Sequence, residues 1–175
     1  MNRRGFLIGL ASARATLSGG AFAQTSARPL PIIPLTDLSE GPETRIPLQL
    51  AASQHDFGTG ALSDTLGINA DYLGPVLRAR QGQTLPFDVQ NTLDEVTTIH
   101  WHGLHIPGDV DGGPHQEIAP GTIWSPDVPI AQQASMNWFH SHMHGRTAQQ
   151  THKGLAGILL VEDDASLSAD LPKTY

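Results

Sequence analysis

The sequence predicts an all-β chain folded as a β-sandwich, and three observations carry that prediction. Apolar runs are short and are broken by Gly, Pro, Asn or Asp. Several runs alternate apolar with polar residues, and no stretch sustains the 3.6-residue period of a long helix. Strands are expected over 46–51, 76–79, 85–90, 97–101, 123–128, 136–140 and 157–162. In the third, Leu85, Phe87 and Val89 share one face and Pro86, Asp88 and Gln90 the other. About seven short strands with turn residues between them are the pattern of a sandwich.

The connections fit. Residues 24–44 hold Pro29, Pro31, Pro34 and Pro42 and read as an extended lead-in rather than a helix. Gly103 ends the fourth strand, and Pro107-Gly108, Asp111-Gly112-Gly113-Pro114 and Pro120-Gly121 are turns. Gly154-Leu155-Ala156-Gly157 sets small residues where the last strand begins. Residues 158–161 are apolar enough for a central strand. Past Glu162-Asp163-Asp164 the chain turns polar, so the expected domain is 45–164, with 165–175 as the start of an interdomain linker. The chain is then expected to be one domain of a longer protein.

The first 23 residues read as an export signal. Arg3 and Arg4 precede the apolar stretch Gly5-Phe6-Leu7-Ile8-Gly9-Leu10, and Ala21-Phe22-Ala23 offers a small-x-small cleavage site before Gln24. The apolar stretch is too short to span a bilayer, so no membrane anchor is expected. Paired arginines followed by Phe6-Leu7 resemble a twin-arginine signal, and the expected location is the periplasm. Cleavage removes Arg3, Arg4 and Arg14. It leaves seven basic against seventeen acidic residues and moves the net charge from −7 to −10. That balance argues against nucleic acid and anionic membrane surfaces as partners.

Two histidine pairs stand out, His100-Trp101-His102-Gly103 and His140-Ser141-His142-Met143-His144-Gly145. Residues i and i+2 of a strand point to one face, so each His-x-His presents two imidazoles side by side. Two such strands brought together converge four imidazoles, a donor set suited to copper, zinc, iron or nickel. The chain contains no cysteine. It therefore lacks the thiolate that a blue-copper centre requires, and an exported chain without disulfides must rely on its core for stability.

The segments Thr97-Thr98-Ile99-His100-Trp101-His102-Gly103-Leu104, Val110-Asp111-Gly112-Gly113-Pro114, Trp138-Phe139-His140-Ser141-His142-Met143-His144-Gly145 and Gly154-Leu155-Ala156-Gly157 together resemble the first cupredoxin domain of multicopper oxidases. The nearest branch is the bacterial, twin-arginine-exported one of laccase-like and cuprous oxidases. The resemblance runs from about Ile46 to Asp164 and implies a cupredoxin-like Greek-key β-sandwich. It implies half of a three-copper cluster that reduces dioxygen to water, with His100 on the type 2 copper and His102, His140 and His142 on the type 3 pair. It also implies that Asp111 relays protons to reduced oxygen, although the Asp-Gly pair serves equally well to start a turn. The blue copper and the other cluster histidines would come from other domains. Ser141 stands where the electron-carrying domain has Cys. The chain alone cannot complete the oxidase reaction, and its reducing substrate is not legible.

Rival readings are weaker. A simple electron-transfer cupredoxin needs the missing Cys. A cupin needs Glu three or four residues after the second His, where this chain has His105 and Ile106. A cell-division scaffold of the same fold lacks copper ligands, whereas all four positions here are histidine. The main alternative is a stand-alone periplasmic copper-binding module without catalysis, and four histidines also suit zinc. Trp101 and Trp138 are expected in the core, and Met136 and Met143 are expected to pack. His144 is expected beside the site or on the surface, with His55, His105, His115 and His152 outside the ligand set.

Overall fold

The computed structural model describes residues 30–168. The expected export signal, residues 24–29 of the lead-in and residues 169–175 of the expected linker lie outside them. The chain divides into two units, Met1–Ile32 and Ile33–Tyr175, and every described strand and helix belongs to the second.

The β-sandwich expectation is met by two mixed five-stranded sheets. The first orders β1 (Leu35–Asp37), β4 (Val76–Arg80), β10 (Ala156–Glu162), β9 (Ser135–His140) and β6 (His100–His102). The second orders β3 (Ser63–Ile68), β2 (Ile46–His55), β5 (Thr84–Asn91) and β7 (Ile123–Trp124), with β8 (Asp127–Pro129) also paired to β5. β10 runs parallel to β4 and antiparallel to β9, so it is interior to its sheet. A seven-residue helix α1 (Thr147–Lys153) connects the second histidine pair to β10, and a five-residue helix α2 (Asp164–Ser168) follows β10.

Alternation explains which side chains fill the space between the sheets. Ile46, Leu48 and Leu50 of β2 and Leu85, Phe87 and Val89 of β5 are buried from one sheet. Leu77, Ala79, Leu159, Val161, Phe139 and Trp101 are buried from the other. Trp101 is fully buried and stacks on Phe87 at 4.4 Å between centroids. Phe139 lies over Gly157, its register partner on β10. An added Cβ there would stand 2.2 Å from the ring, so close approach of the ring to the backbone requires glycine.

Several elements differ from expectation for physical reasons. The run 123–128 is two strands rather than one. Pro126 has no N–H to continue a ladder, and its carbonyl instead accepts from Phe87 N–H at 2.9 Å. The run 97–101 is a strand only at its end, and Thr97 forms an isolated bridge with Ile118. β1 adds a parallel edge strand within the extended lead-in, and β3 opens on the exposed Ser63 and Asp64, which hide its apolar end.

Candidate metal centre

The site starts from the pairing of β6 with β9. In register, His100 faces His140, Trp101 faces Phe139 and His102 faces Trp138. Period 2 gives this ribbon two faces: Trp101 and Phe139 go to the core, while His100, His102, His140 and Trp138 go to the other side.

Three of the four expected ligands meet directly. One ring nitrogen from each of His100, His102 and His140 lies within 4.8 Å of the others. His142 follows the end of β9, its ring centroid 5.3 Å from that of His100 and 5.9 Å from that of His140. His102 Nδ1 and His140 Nε2 are 3.2 Å apart. Two imidazole nitrogens sharing one tetrahedral metal at about 2.0–2.1 Å would be about 3.3 Å apart, so the spacing fits a ligand pair as well as a hydrogen bond.

Protons are fixed at two of these rings. A carbonyl oxygen can only accept, so His140 Nδ1–H donates to the Ser141 carbonyl at 2.7 Å and His100 Nδ1–H to the Asp111 carbonyl at 3.0 Å. With Nδ1 so used, Nε2 is the nitrogen each ring can offer to a metal. His140 is nearly fully buried. That burial, helped by the nearby His100, His102 and His142, lowers its pKa from 6.5 to about 4 and keeps it an uncharged donor at neutral pH. His142 Nδ1 is buried without a hydrogen-bond partner among the described residues, an orphaned nitrogen that a metal or a further group would satisfy.

Asp111 reaches the same histidine twice. Its carboxylate Oδ2 is 3.2 Å from His100 Nδ1, in addition to the carbonyl contact, and the side chain is partly open to solvent. The loop holds it there because Asp111 C=O also accepts from Trp101 N–H at 3.1 Å. Gly112 has φ +73°, and a Cβ on it would fall 1.7 Å from the Ile99 carbonyl oxygen. No other residue fits between this loop and the strand leading to His100. The Asp-Gly turn and the carboxylate at the site are thus one feature.

Two expectations are corrected. Trp138 is not core: it is 37% exposed and stacks on His140 at 3.8 Å with 18° between ring planes. Residues 138 and 140 are two apart on one strand, so they share a face. Met136, with the same parity, is 77% exposed rather than packed. Met143 is half-buried, whereas His105, His115, His144 and His152 are exposed. His55 pairs with Asp71 at 2.9 Å beside Phe57 and Tyr72.

Sequence reasoning missed the buried polar group beneath the histidines. Thr97, Thr98, Ser141 and Gln150 are all fully buried. Gln150 Oε1 accepts from Thr97 Oγ1 at 2.9 Å and Ser141 Oγ at 2.5 Å, and its Nε2 donates to the Val96 carbonyl at 3.0 Å. Thr98 Oγ1 accepts from His142 N–H at 2.8 Å. The available signal was Ser and Thr at expected core positions of the His segments, which must be hydrogen-bonded when buried.

Residues 49–166 match the family described as multicopper oxidase. The chain is 43% identical over 117 residues to the multicopper oxidase mco of Staphylococcus aureus, covering 67% of this chain and 26% of that protein. It is 35% identical over 177 residues to the cell division protein FtsP of Escherichia coli strain K12, covering 100% of this chain and 37% of that one. Among solved structures, it superimposes with a TM-score of 0.77 and 44% identity on the laccase-like multi-copper oxidase CueO of Ochrobactrum sp., described as having oxidase activity towards lignin model compounds and lignosulfonate. That match covers 84% of this chain and 33% of the other. The chain spans 26–37% of the length of these three relatives.

Proposed function

Because the chain belongs to the multicopper oxidase family, we propose that it is a copper-binding cupredoxin-like domain supplying half of a trinuclear cluster in an oxidase that reduces dioxygen. The observation that carries this reading is the convergence of His100, His102 and His140, with His142 beside them, on one side of the β6–β9 ribbon. The donor set fits copper: four imidazoles, two of them with Nδ1 committed to a carbonyl so that Nε2 is the nitrogen to offer, and an orphaned nitrogen on His142. His100 would hold the type 2 ion and His102, His140 and His142 the type 3 pair. Copper bound there supplies one-electron redox chemistry, with electrons drawn from a reducing substrate elsewhere in the enzyme.

The chain's own residues supply position and protons. His100 is oriented through Nδ1 by Asp111 and His140 by the Ser141 carbonyl, so neither ring is free to turn. The Asp111 carboxylate, partly open to solvent and 3.2 Å from His100 Nδ1, is placed to pass protons between water and the site. Trp138 covers one face of His140 and limits water there.

A second reading, a domain of this fold without catalysis, is favoured by the reach of the FtsP match, which extends over the whole chain. The histidines weigh against it. Copper titration of the 175-residue chain tests the first reading: binding that is lost in His100→Ala and His142→Ala supports it, and no binding removes it. Coding DNA read beyond the Tyr175 codon then separates an oxidase from a copper-holding module by whether His-x-x-His-x-His and His-Cys-His segments follow in frame. We also assign residues 1–23 to a cleaved twin-arginine signal and the folded part to the periplasm, which N-terminal sequencing at Gln24 would test. Among the described residues no helix is long and apolar enough to cross a membrane.

A further inference from the structure

The two His-x-His segments are far apart in sequence, and strand pairing alone joins them only at β6 and β9. His142 lies past the end of that ladder, as does the loop that leads into α1. Something else must set this part of the site. Arg146 at the cap position makes no capping hydrogen bond with its side chain, and the helix start is held only locally, by Arg146 N–H and Thr147 Oγ1 donating to the Met143 carbonyl at 2.9 Å each.

Gln150 occupies that role by its connections. Its amide oxygen has two lone pairs, and each receives a hydroxyl: Thr97 Oγ1 from the segment before His100, and Ser141 Oγ from between His140 and His142. Its Nε2 donates to the Val96 carbonyl. One buried amide on α1 therefore ties both ligand-bearing segments together. The neighbouring Thr98 completes the link by accepting from His142 N–H.

The Ser141 residue is held on every polar side. Its hydroxyl goes to Gln150 Oε1, its N–H donates to the Leu155 carbonyl at 3.1 Å, and its carbonyl accepts from Thr151 Oγ1 at 3.4 Å. That same carbonyl accepts His140 Nδ1–H at 2.7 Å. Whatever fixes Ser141 thus fixes where the proton sits on His140 and which nitrogen is left to bind.

We propose that Gln150 is the positioning residue of the copper site, setting the spacing of the two histidine pairs and, through Ser141, the Nδ1–H tautomer of His140. This rests on the copper reading above. The chemistry of position 150 is narrow. Leucine fills similar space but removes the shared acceptor, leaving Thr97 Oγ1 only its longer contacts to Ser141 Oγ and the Thr98 carbonyl, both 3.3 Å, and glutamate accepts both hydroxyls but cannot, when ionised, donate to Val96.

The test uses the 175-residue chain and two readouts. Imidazole ¹⁵N shifts of the metal-free chain report the His140 tautomer, and a copper titration reports affinity. Gln150→Leu is expected to replace the single Nδ1–H tautomer by a mixture and to weaken copper binding by about 10–100-fold, the usual effect of losing a group that orients a ligand. Ser141→Ala should move both readouts in the same direction. Leu48→Ala, a core substitution in the opposite sheet, should lower stability and leave both unchanged. A folded Gln150→Leu chain that keeps the single tautomer, or that loses no more copper affinity than Leu48→Ala, overturns the proposal. Should Gln150→Leu not fold, Ser141→Ala decides by the same criteria. If the unsubstituted chain takes no copper, the copper reading falls, and the tautomer of the metal-free variants alone decides whether Gln150 positions His140.

Discussion

The two faces of the β6–β9 ribbon are built from the same six residues of backbone and do opposite work. On the inner face Trp101 and Phe139 are wholly buried, and Trp101 stacks on Phe87. On the outer face His100, His102, Trp138 and His140 crowd together with nitrogens exposed to one another rather than to a hydrocarbon core. The inner face is stabilised by apolar area removed from water. Burial on the outer face keeps His140 uncharged, the state in which an imidazole can bind a metal. A strand's period of two lets one short ribbon carry both tasks, and substitutions should separate them.

The largest expected effect is on the inner face. Trp101→Ala should cost about 3–5 kcal/mol in chemical denaturation, the range for emptying a large aromatic site in a packed core. Copper would then be lost only through unfolding. Gly157→Ala comes next. Its Cβ meets the Phe139 ring at 2.2 Å, and overpacking of this kind costs about 1–3 kcal/mol. A Gly157→Ala chain as stable as the parent would show that the ring has room to move, and the inner face would be looser than described.

Acidification sharpens the contrast from the other side. The pKa of His140 lies at about 4 in the folded chain and near 6.5 when free, so protons bind the unfolded state more readily. Stability owed to the neutral ring is complete above about pH 6.5 and is lost as pH falls toward 4. Denaturation midpoints of the metal-free chain at pH 7.5 and 4.5 should therefore differ, and His140→Phe should flatten that part of the profile. An unchanged slope in His140→Phe would mean that another group carries the acid sensitivity. The smallest stability effect is expected at His102, which is exposed. His102→Ala should alter unfolding free energy by about 0.5 kcal/mol or less while weakening copper binding.

Much of the fold was legible because alternation marks half-buried strands directly. Leu85, Phe87 and Val89 predicted the inner face of β5, and Ile46, Leu48 and Leu50 behave alike. Elements whose signal is weak or short escaped. β3 hides its apolar end behind Ser63 and Asp64, and α1 is too brief to display a helical period. Proline divided one expected strand by withholding a donor at Pro126. At the site, the histidines announced themselves by spacing, and the structure brings His100, His102 and His140 together. Trp138 was misplaced although the same period of two that aligned His140 with His142 in the sequence aligns Trp138 with His140. Gln150 was illegible for a different reason. Its partners lie 53 and 9 residues away, and a single glutamine carries no pattern until the fold assembles around it.

On the reading proposed above, four histidines converge as one copper site on a face that the core does not need. Its most direct test is a copper titration of the 175-residue chain beside His100→Ala, His102→Ala, His140→Ala and His142→Ala, with stability measured on the same samples. The parent chain is expected to bind copper and each substitution to weaken binding at least tenfold, with His102→Ala as stable as the parent. Copper binding that survives all four substitutions, or a parent chain that binds none, would contradict it.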